Sequence, residues 1–116
     1  MHEMSIATSL IQSALSHIPD DQFLSSIYIT FGPLSGVCEE SLLFCFSIVA
    51  GEYGHAHAQL IINSVPARFR CSECDTHYET DDFYDGCPIC KSIKRIVLSG
   101  DQFTLDAIDV EEKSNV

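Results

Sequence analysis

Four of the six cysteines form two Cys-x-x-Cys pairs that could bind one metal ion together. Cys71 and Cys74 make the first pair, and Cys87 and Cys90 make the second after an interval of twelve residues. Each pair forms a tight turn that presents two thiolates to one ion, and two pairs complete a tetrahedral site with four sulfur ligands. Structural zinc prefers such a site, although iron also accepts it. The spacing therefore predicts a metal centre, with zinc as its first candidate.

The sequence around these cysteines favours metal binding over redox-active pairs or disulfides. Residues 71–92 are polar and nearly devoid of aliphatic side chains, so this stretch cannot bury a core of its own and needs a cross-link. Cys-Pro-Ile-Cys is similar to a rubredoxin knuckle, which keeps iron as an alternative to zinc. His77, three residues after Cys74, is a possible secondary ligand if a thiolate is protonated or displaced. A solvated loop histidine is the simpler interpretation of His77.

The amino terminus offers a second candidate metal site of different chemistry. Met1 and His2 supply the free α-amine, the His2 amide and the imidazole Nδ1, which close a five- and a six-membered chelate ring around one ion. The amide or carboxylate of Glu3 could add a further ligand. Ni²⁺ and Cu²⁺ favour such nitrogen-rich, tetragonal geometry. His55 and His57 form a weaker candidate pair, for which exposure at a strand edge is the simpler interpretation.

The charge balance excludes several classes of partner. Seventeen acidic residues against six basic ones give a net charge of −11. Such a surface repels nucleic acid and anionic lipid, because phosphate contacts require clustered Lys and Arg. No segment approaches the roughly 18 uncharged apolar residues of a membrane span. The first residues lack a basic region before an apolar run, so we expect no secretory signal and a cytoplasmic protein.

Hydrophobic periodicity predicts the elements that must position these sites. Apolar residues at helical spacing predict a helix over 4–18, ended by Pro19, and a second, buried helix over 39–51. Alternating apolar residues predict strands over the segments 23–32, 58–70, 93–100 and 102–110. The predicted fold is α+β, with two helices packed on a small, mostly antiparallel sheet and an inserted zinc-ribbon-like module of four cysteines. Cys45 is predicted as a core residue, and Cys38, near a helix amino terminus, is also assigned a structural role.

The amino-terminal triplet and the cysteine module together resemble the HypA/HybF family of nickel metallochaperones. The resemblance rests on MHEMSIA, on the strand-turn-helix segment ITFGPLSGVCEESLLFCF, on VPARFRCSEC with CPICKS, and on the closing GDQFTLDAIDV. It implies exchangeable nickel on Met1, His2 and Glu3, and structural zinc on Cys71, Cys74, Cys87 and Cys90. It also implies a division into an α/β nickel-binding domain (1–66 and 94–116) and a zinc-binding module (67–93).

The resemblance further implies a carrier that performs no catalysis. Its partners would be the nickel-binding GTPase HypB and the large subunit of [NiFe]-hydrogenase, with urease maturation proteins in some organisms. Two other classes of protein stay open at this point: a zinc-ribbon module for protein interaction and a rubredoxin-like electron carrier. A ferric centre with four thiolates absorbs visible light and a zinc centre does not, so colour separates these possibilities.

Overall fold

The computed structural model describes residues 2–80 and 84–112. Its elements are α1 (His2–Leu15), β1 (Gln22–Phe31), a 3₁₀ turn (Pro33–Ser35), α2 (Glu39–Glu52), β2 (Gln59–Ser64), β3 (Arg68–Cys71), β4 (His77–Glu79), β5 (Arg95–Ser99) and β6 (Phe103–Glu112). The predicted α+β class with two helices is confirmed. Within the described ranges, neither helix has the length and apolarity that crossing a bilayer requires.

The chain divides into two compact units that each draw on separate stretches of sequence. The helical unit comprises Met1–Ile29, Val37–Asn63 and Thr104–Val116, and the cysteine unit comprises Thr30–Gly36 and Ser64–Phe103. The predicted division places residues 30–36, 64–66 and 94–103 in the larger domain, whereas they lie in the cysteine unit. For 94–103 the reason is that β5 pairs with β3 in the cysteine unit.

The helical unit is built on the contact between α1 and α2. α1 buries Ala7, Leu10, Ile11 and Ala14, which recur at helical spacing on one face. It ends at Leu15, three residues before the predicted end, because the amides of His17 and Ile18 bond to carbonyls only three residues back, ahead of Pro19. The other core residues of this unit come from β1 and α2: Leu24, Ile27, Ile29, Leu42, Cys45, Phe46, Val49 and Ala50. Cys45 is buried, as predicted.

The strands form two three-stranded sheets, where the prediction describes one sheet together with an inserted cysteine module. Their orders are β2-β1-β6 and β4-β3-β5. The segment 58–70, predicted as one strand, is interrupted at Val65–Ala67, where Pro66 cannot donate a ladder hydrogen bond. As a result β2 and β3 belong to different sheets. The residues between β5 and β6 likewise join strands of two sheets, so β5 and β6 do not form a hairpin.

Phe69 is the centre of the small core of the cysteine unit. It is fully buried in β3 and stands opposite Tyr78 of β4 and Val97 of β5 in two antiparallel ladders. The Tyr78 ring lies 5.6 Å from the Phe69 ring, and the Arg95 guanidinium lies 4.0 Å from the Phe69 ring centroid. A cation over an aromatic face is worth about 0.5–2 kcal/mol. This cluster gives β3, which ends at Cys71, a fixed position.

Two glycines of the cysteine unit allow a close approach of backbone segments. A side chain on Gly32 would overlap the carbonyl oxygen of Gly100. Gly100 itself has a φ of +105°, and a Cβ there would come within 2.6 Å of the Ala67 Cα. The Gly100 carbonyl accepts a 2.7 Å hydrogen bond from the Leu34 amide. The chain can therefore pass this point only with glycine at both positions.

We expect Gly32→Ala to destabilise the protein by about 1–3 kcal/mol, because the added methyl must displace backbone. Gly51→Ala is the matched control, since Gly51 lies in α2 and a Cβ added there would meet no atom within 4 Å. It should be neutral or stabilising by up to about 1 kcal/mol. Urea unfolding followed by circular dichroism measures both changes. Equal stability of the two variants would contradict the conclusion that the close approach of Gly32 to the Gly100 backbone requires glycine.

Candidate metal centre

The first cysteine pair forms a tight turn at the end of β3. The amide of Asp75 donates to the carbonyl of Cys71 at 3.0 Å, and the amide of Glu73 donates to the Cys71 sulfur at 3.3 Å. The amide of Cys71 donates to the Thr76 carbonyl at 2.9 Å, which closes the turn. These bonds hold the Cys71 sulfur on the inner side of the turn and stabilise negative charge on it.

The second pair repeats this geometry bond for bond. The amide of Lys91 donates to the Cys87 carbonyl at 2.9 Å, and the amide of Ile89 donates to the Cys87 sulfur at 3.4 Å. The Cys87 amide donates to the Ser92 carbonyl at 2.9 Å. The two turns are therefore equivalent in backbone hydrogen bonding, which is the arrangement of paired zinc knuckles.

The residue that follows each pair adopts a left-handed backbone conformation. Asp75 has a φ of 62° and Lys91 has a φ of 68°, and both are non-glycine residues. Asp is several-fold enriched in this region and Lys is not, so the second turn carries more strain. The Arg70 guanidinium pairs with the Asp75 carboxylate at 2.8 Å and supports the first turn.

The four sulfurs converge on one point. All four lie within 4.8 Å of one another, with 3.5 Å between Cys71 and Cys90 and 3.6 Å between Cys74 and Cys87. A zinc ion at about 2.3 Å from each sulfur places the sulfurs about 3.8 Å apart, whereas a disulfide bond measures about 2.05 Å. All four cysteines are free thiols. The cluster thus has the dimensions of a metal centre rather than of two disulfides.

The thiols perturb one another's ionisation in opposite directions. The Cys90 amide, the Ile89 amide and neighbouring thiols, acting against desolvation, lower the pKa of Cys87 to about 6. The Ser92 amide lowers the pKa of Cys90, but the thiols of Cys71, Cys74 and Cys87 together with burial outweigh it and raise that pKa to about 12. One sulfur is therefore ready to be a thiolate while another resists ionisation until a cation joins them.

The histidines of the sequence analysis lie outside this cluster. His77 is in β4 opposite Arg70, and no group of three or more metal-binding side chains in the described ranges includes it. The Nδ1 of His55 accepts a 3.3 Å hydrogen bond from the Leu24 amide, and the His57 ring packs edge-on against Phe23 at 5.6 Å. His55 and His57 thus make separate contacts within the helical unit.

The candidate nickel residues begin α1. Met1 lies outside the described residues. His2 is the first residue of α1, its side chain is 61 % exposed, and its Nε2 lies 3.5 Å from the Glu3 carboxylate. That carboxylate accepts a 3.0 Å hydrogen bond from the amide of Cys38, the residue that caps α2. Because of this bond, the pKa of Glu3 is below its ordinary value of 4.5.

The contact between Glu3 and Cys38 was not predicted from the sequence. It joins residues 35 positions apart, and its donor is a backbone amide. Every residue except proline has such an amide, so the residue type at position 38 does not indicate the contact. The side chain and amide of Ser41 lower the pKa of Cys38 below its ordinary value. The Glu3 contact attaches the first turn of α1 to the start of α2 and so holds the amino terminus near the fold.

Comparison with known families decides what kind of protein carries this site. A family model described as "Hydrogenase/urease nickel incorporation, metallochaperone, hypA" matches residues 1–110. The chain belongs to the HypA family. The HypA match spans both units, so neither an isolated zinc ribbon nor a rubredoxin-like carrier accounts for it. As a HypA metallochaperone, the chain is a maturation factor for nickel enzymes and not an enzyme itself.

Individual relatives support the HypA assignment along nearly the whole chain. The hydrogenase maturation factor HypA of Chlorobium luteolum is 36 % identical over 115 residues, which cover 97 % of this chain and 98 % of that protein. That of Picosynechococcus sp. is 34 % identical over 112 residues, covering 95 % and 99 %. The solution structure of the Ni metallochaperone HypA from Helicobacter pylori has the same fold, with a TM-score of 0.60, 21 % identity and coverage of 97 % and 100 %.

We expect Glu3→Gln to lower the thermal unfolding midpoint at pH 7, because the neutral amide accepts a weaker hydrogen bond from Cys38. The lowered pKa of Glu3 contributes stability that is present above pH 4.5 and is lost as the pH falls through the folded-state value. The deficit of the variant should therefore shrink at pH 3. Both proteins are measured in chelator, so that metal loss on acidification contributes to neither.

Glu52→Gln is the control for this change. Glu52 ends α2, where the helix dipole disfavours a carboxylate, so its neutralisation should leave the midpoint unchanged or raise it. A Glu3→Gln deficit of equal size at both pH values would show that the carboxylate charge does not matter.

Proposed function

We propose that the chain carries Ni(II) on its amino terminus and delivers it during [NiFe]-hydrogenase maturation. The ligands would be the Met1 α-amine, the His2 amide and imidazole, and the amide or carboxylate of Glu3. The observation that carries this proposal is the exposed His2 side chain beside a Glu3 carboxylate that is tied to the fold. A cargo site must be open to an acceptor, and the exposure of the His2 side chain supports this use.

We propose that Cys71, Cys74, Cys87 and Cys90 hold a structural Zn²⁺. Four thiolates fill the coordination sphere of zinc and leave no open position for exchange or catalysis. A bound zinc ion would neutralise the mutual repulsion of the thiolates and cross-link two turns that share little apolar contact. The two sites thereby differ in kind, with an open nitrogen-rich terminus for cargo and a closed sulfur site for structure.

The partners follow from this division of tasks. We propose that nickel passes between this chain, the GTPase HypB and the hydrogenase large subunit. Relatives at 34–36 % identity bear the name hydrogenase maturation factor, which supports hydrogenase as the nickel enzyme served. A role with urease maturation proteins is a second proposal, prompted by the family description.

Nickel titration of three zinc-loaded proteins tests the cargo site. The protein with its native start should bind about one equivalent of Ni²⁺. His2→Ala removes the imidazole, and one extra residue before Met1 removes the α-amine from the chelate, so each should bind at least about tenfold more weakly. Zinc loading keeps nickel off the four-cysteine cluster, and Cys38→Ser controls for binding to that exposed thiol. Equal binding by all three proteins would refute the amino-terminal site.

Competition with a chelator tests the zinc site. The purified protein should contain about one equivalent of zinc and no visible colour. Cys74→Ser should weaken zinc binding by more than about a hundredfold, because loss of a ligand costs more than the 10- to 100-fold typical of residues around the ligands. Cys38→Ser, at an equally exposed cysteine outside the cluster, should have no effect. A coloured protein whose colour is lost in Cys74→Ser would identify iron instead.

A further inference from the structure

Three large apolar side chains are exposed on α2, among the polar residues Ser41 and Ser47. Leu43 is 39 % exposed, Phe44 is 66 % exposed and Ile48 is 37 % exposed, although the same helix already buries a complete apolar face in the core. Phe44 and Ile48 are one turn apart and lie side by side on the face opposite the core, and Leu43 lies at the edge of that face. We refer to Leu43, Phe44 and Ile48 as the α2 stripe. A helix that is apolar on both faces is normally covered on both.

The other helix of the same unit exposes fewer large apolar side chains. α1 has the same length, 14 residues, and its exposed positions include Ser5, Ser9, Gln12 and Ser13, with Met4 37 % exposed. Polar side chains therefore cover most of the outer face of α1, whereas Phe44 extends into solvent from α2. Contiguous exposed apolar side chains of this kind mark interaction surfaces.

Carboxylates flank the α2 stripe at both ends. Glu39 and Glu40 occupy the first turn of α2, where the helix dipole favours them. Glu52 is the last residue of α2, where the dipole opposes a negative charge, and no basic residue stands in that last turn. Glu52 therefore has no helix-stabilising explanation. A positively charged group outside the helix would explain it.

The described part of the helical unit is negatively charged, as are the two ends of α2. Of the six Lys and Arg residues in the sequence, five lie in the cysteine unit: Arg68, Arg70, Lys91, Lys94 and Arg95. The sixth is Lys113, which lies outside the described residues. The described part of the helical unit thus contains no Lys or Arg, and its field favours a basic partner over a second copy of itself.

The α2 stripe starts close to the proposed cargo site. Cys38 caps α2, and its amide is bonded to the Glu3 carboxylate, one residue from His2. A partner that lies along α2 therefore has one end beside the amino terminus. A partner docked on α2 would therefore receive an ion from His2 over a short distance.

We propose that the α2 stripe docks an amphipathic helix of a partner protein that carries Lys or Arg around its apolar face. The apolar side chains of that helix pack on Leu43, Phe44 and Ile48, and its basic residues pair with Glu39, Glu40 and Glu52. Phe44 is the central anchor, since large aromatic residues dominate the binding energy of interfaces. The use of this surface in nickel transfer rests on the proposed function, whereas the docking itself does not.

A pair of synthetic peptides tests the proposal on the full-length, zinc-loaded protein. The first is a helical peptide of about 18 residues with leucines at i, i+3, i+4 and i+7 and lysines on both flanks, and the second replaces every lysine with glutamate. Fluorescence anisotropy should show binding of the basic peptide and none of the acidic one. Amide NMR shifts on binding should fall on residues 39–52.

Phe44→Ser should weaken binding of the basic peptide at least about tenfold. The matched control is Ile61→Ser, because Ile61 is 38 % exposed in the same unit but lies on β2, and its effect should stay within about twofold. Equal peptide binding by wild type and Phe44→Ser would overturn the proposal, as would binding of the acidic peptide or NMR shifts confined to other elements. Self-association that Phe44→Ser abolishes would identify a second copy as the occupant and also overturn it.

The same variants separate this inference from the proposed function. Phe44→Ser should bind nickel as the wild type does, and His2→Ala should bind the basic peptide as the wild type does. Unchanged nickel binding by His2→Ala would refute the cargo site and leave the docking result standing. Unchanged peptide binding by Phe44→Ser would refute the docking surface and leave the cargo site standing.

Discussion

Four thiols held within 4.8 Å of one another cannot all ionise unless a cation lies among them. This constraint governs the cysteine unit, because backbone hydrogen bonds in its two turns hold the four sulfurs close together. Hydrogen bonds within the cluster already divide the thiols, because they lower the pKa of Cys87 to about 6 and, together with burial, raise that of Cys90 to about 12. A divalent ion converts the repulsion into a cross-link, and the ladders of β3 with β4 and β5 then hold the cluster to the Phe69 core.

The helical unit meets a different requirement, which is to hold the first turn of α1 in place while His2 stays exposed. Glu3 does so through a single charge-assisted hydrogen bond to the Cys38 amide. His2 stays exposed next to that bond. Chain ends are ordinarily poorly ordered unless something ties them down. A carboxylate bound at the start of one helix by the amide that caps another is sufficient for this purpose.

Local features of this fold could be predicted from the sequence, and non-local ones could not. The spacing of Cys71, Cys74, Cys87 and Cys90 is enough to predict their convergence, because each pair needs only a local turn. The alternation in β1 and the apolar spacing in α1 are local for the same reason. The allocation of strands to two sheets depends on Pro66 and on the crossing of Gly32 with Gly100, which act between distant segments. The exposed apolar residues of α2 could not be predicted either. Apolar residues occur at both buried and exposed positions of that helix, so their spacing does not separate the two.

The order of the strands has a consequence for synthesis of the chain on the ribosome. β1 lies between β2 and β6, so one of its two edges is covered by a strand that follows all the other described strands in the sequence. Until residues 103–112 emerge, this edge of β1, a strand that contains Ile27 and Ile29, stays open. Open apolar edges pair readily with other chains. The nascent chain is therefore exposed to aggregation at this edge throughout the synthesis of β2 to β5, and the sheet of the helical unit is complete only after β6 has been translated.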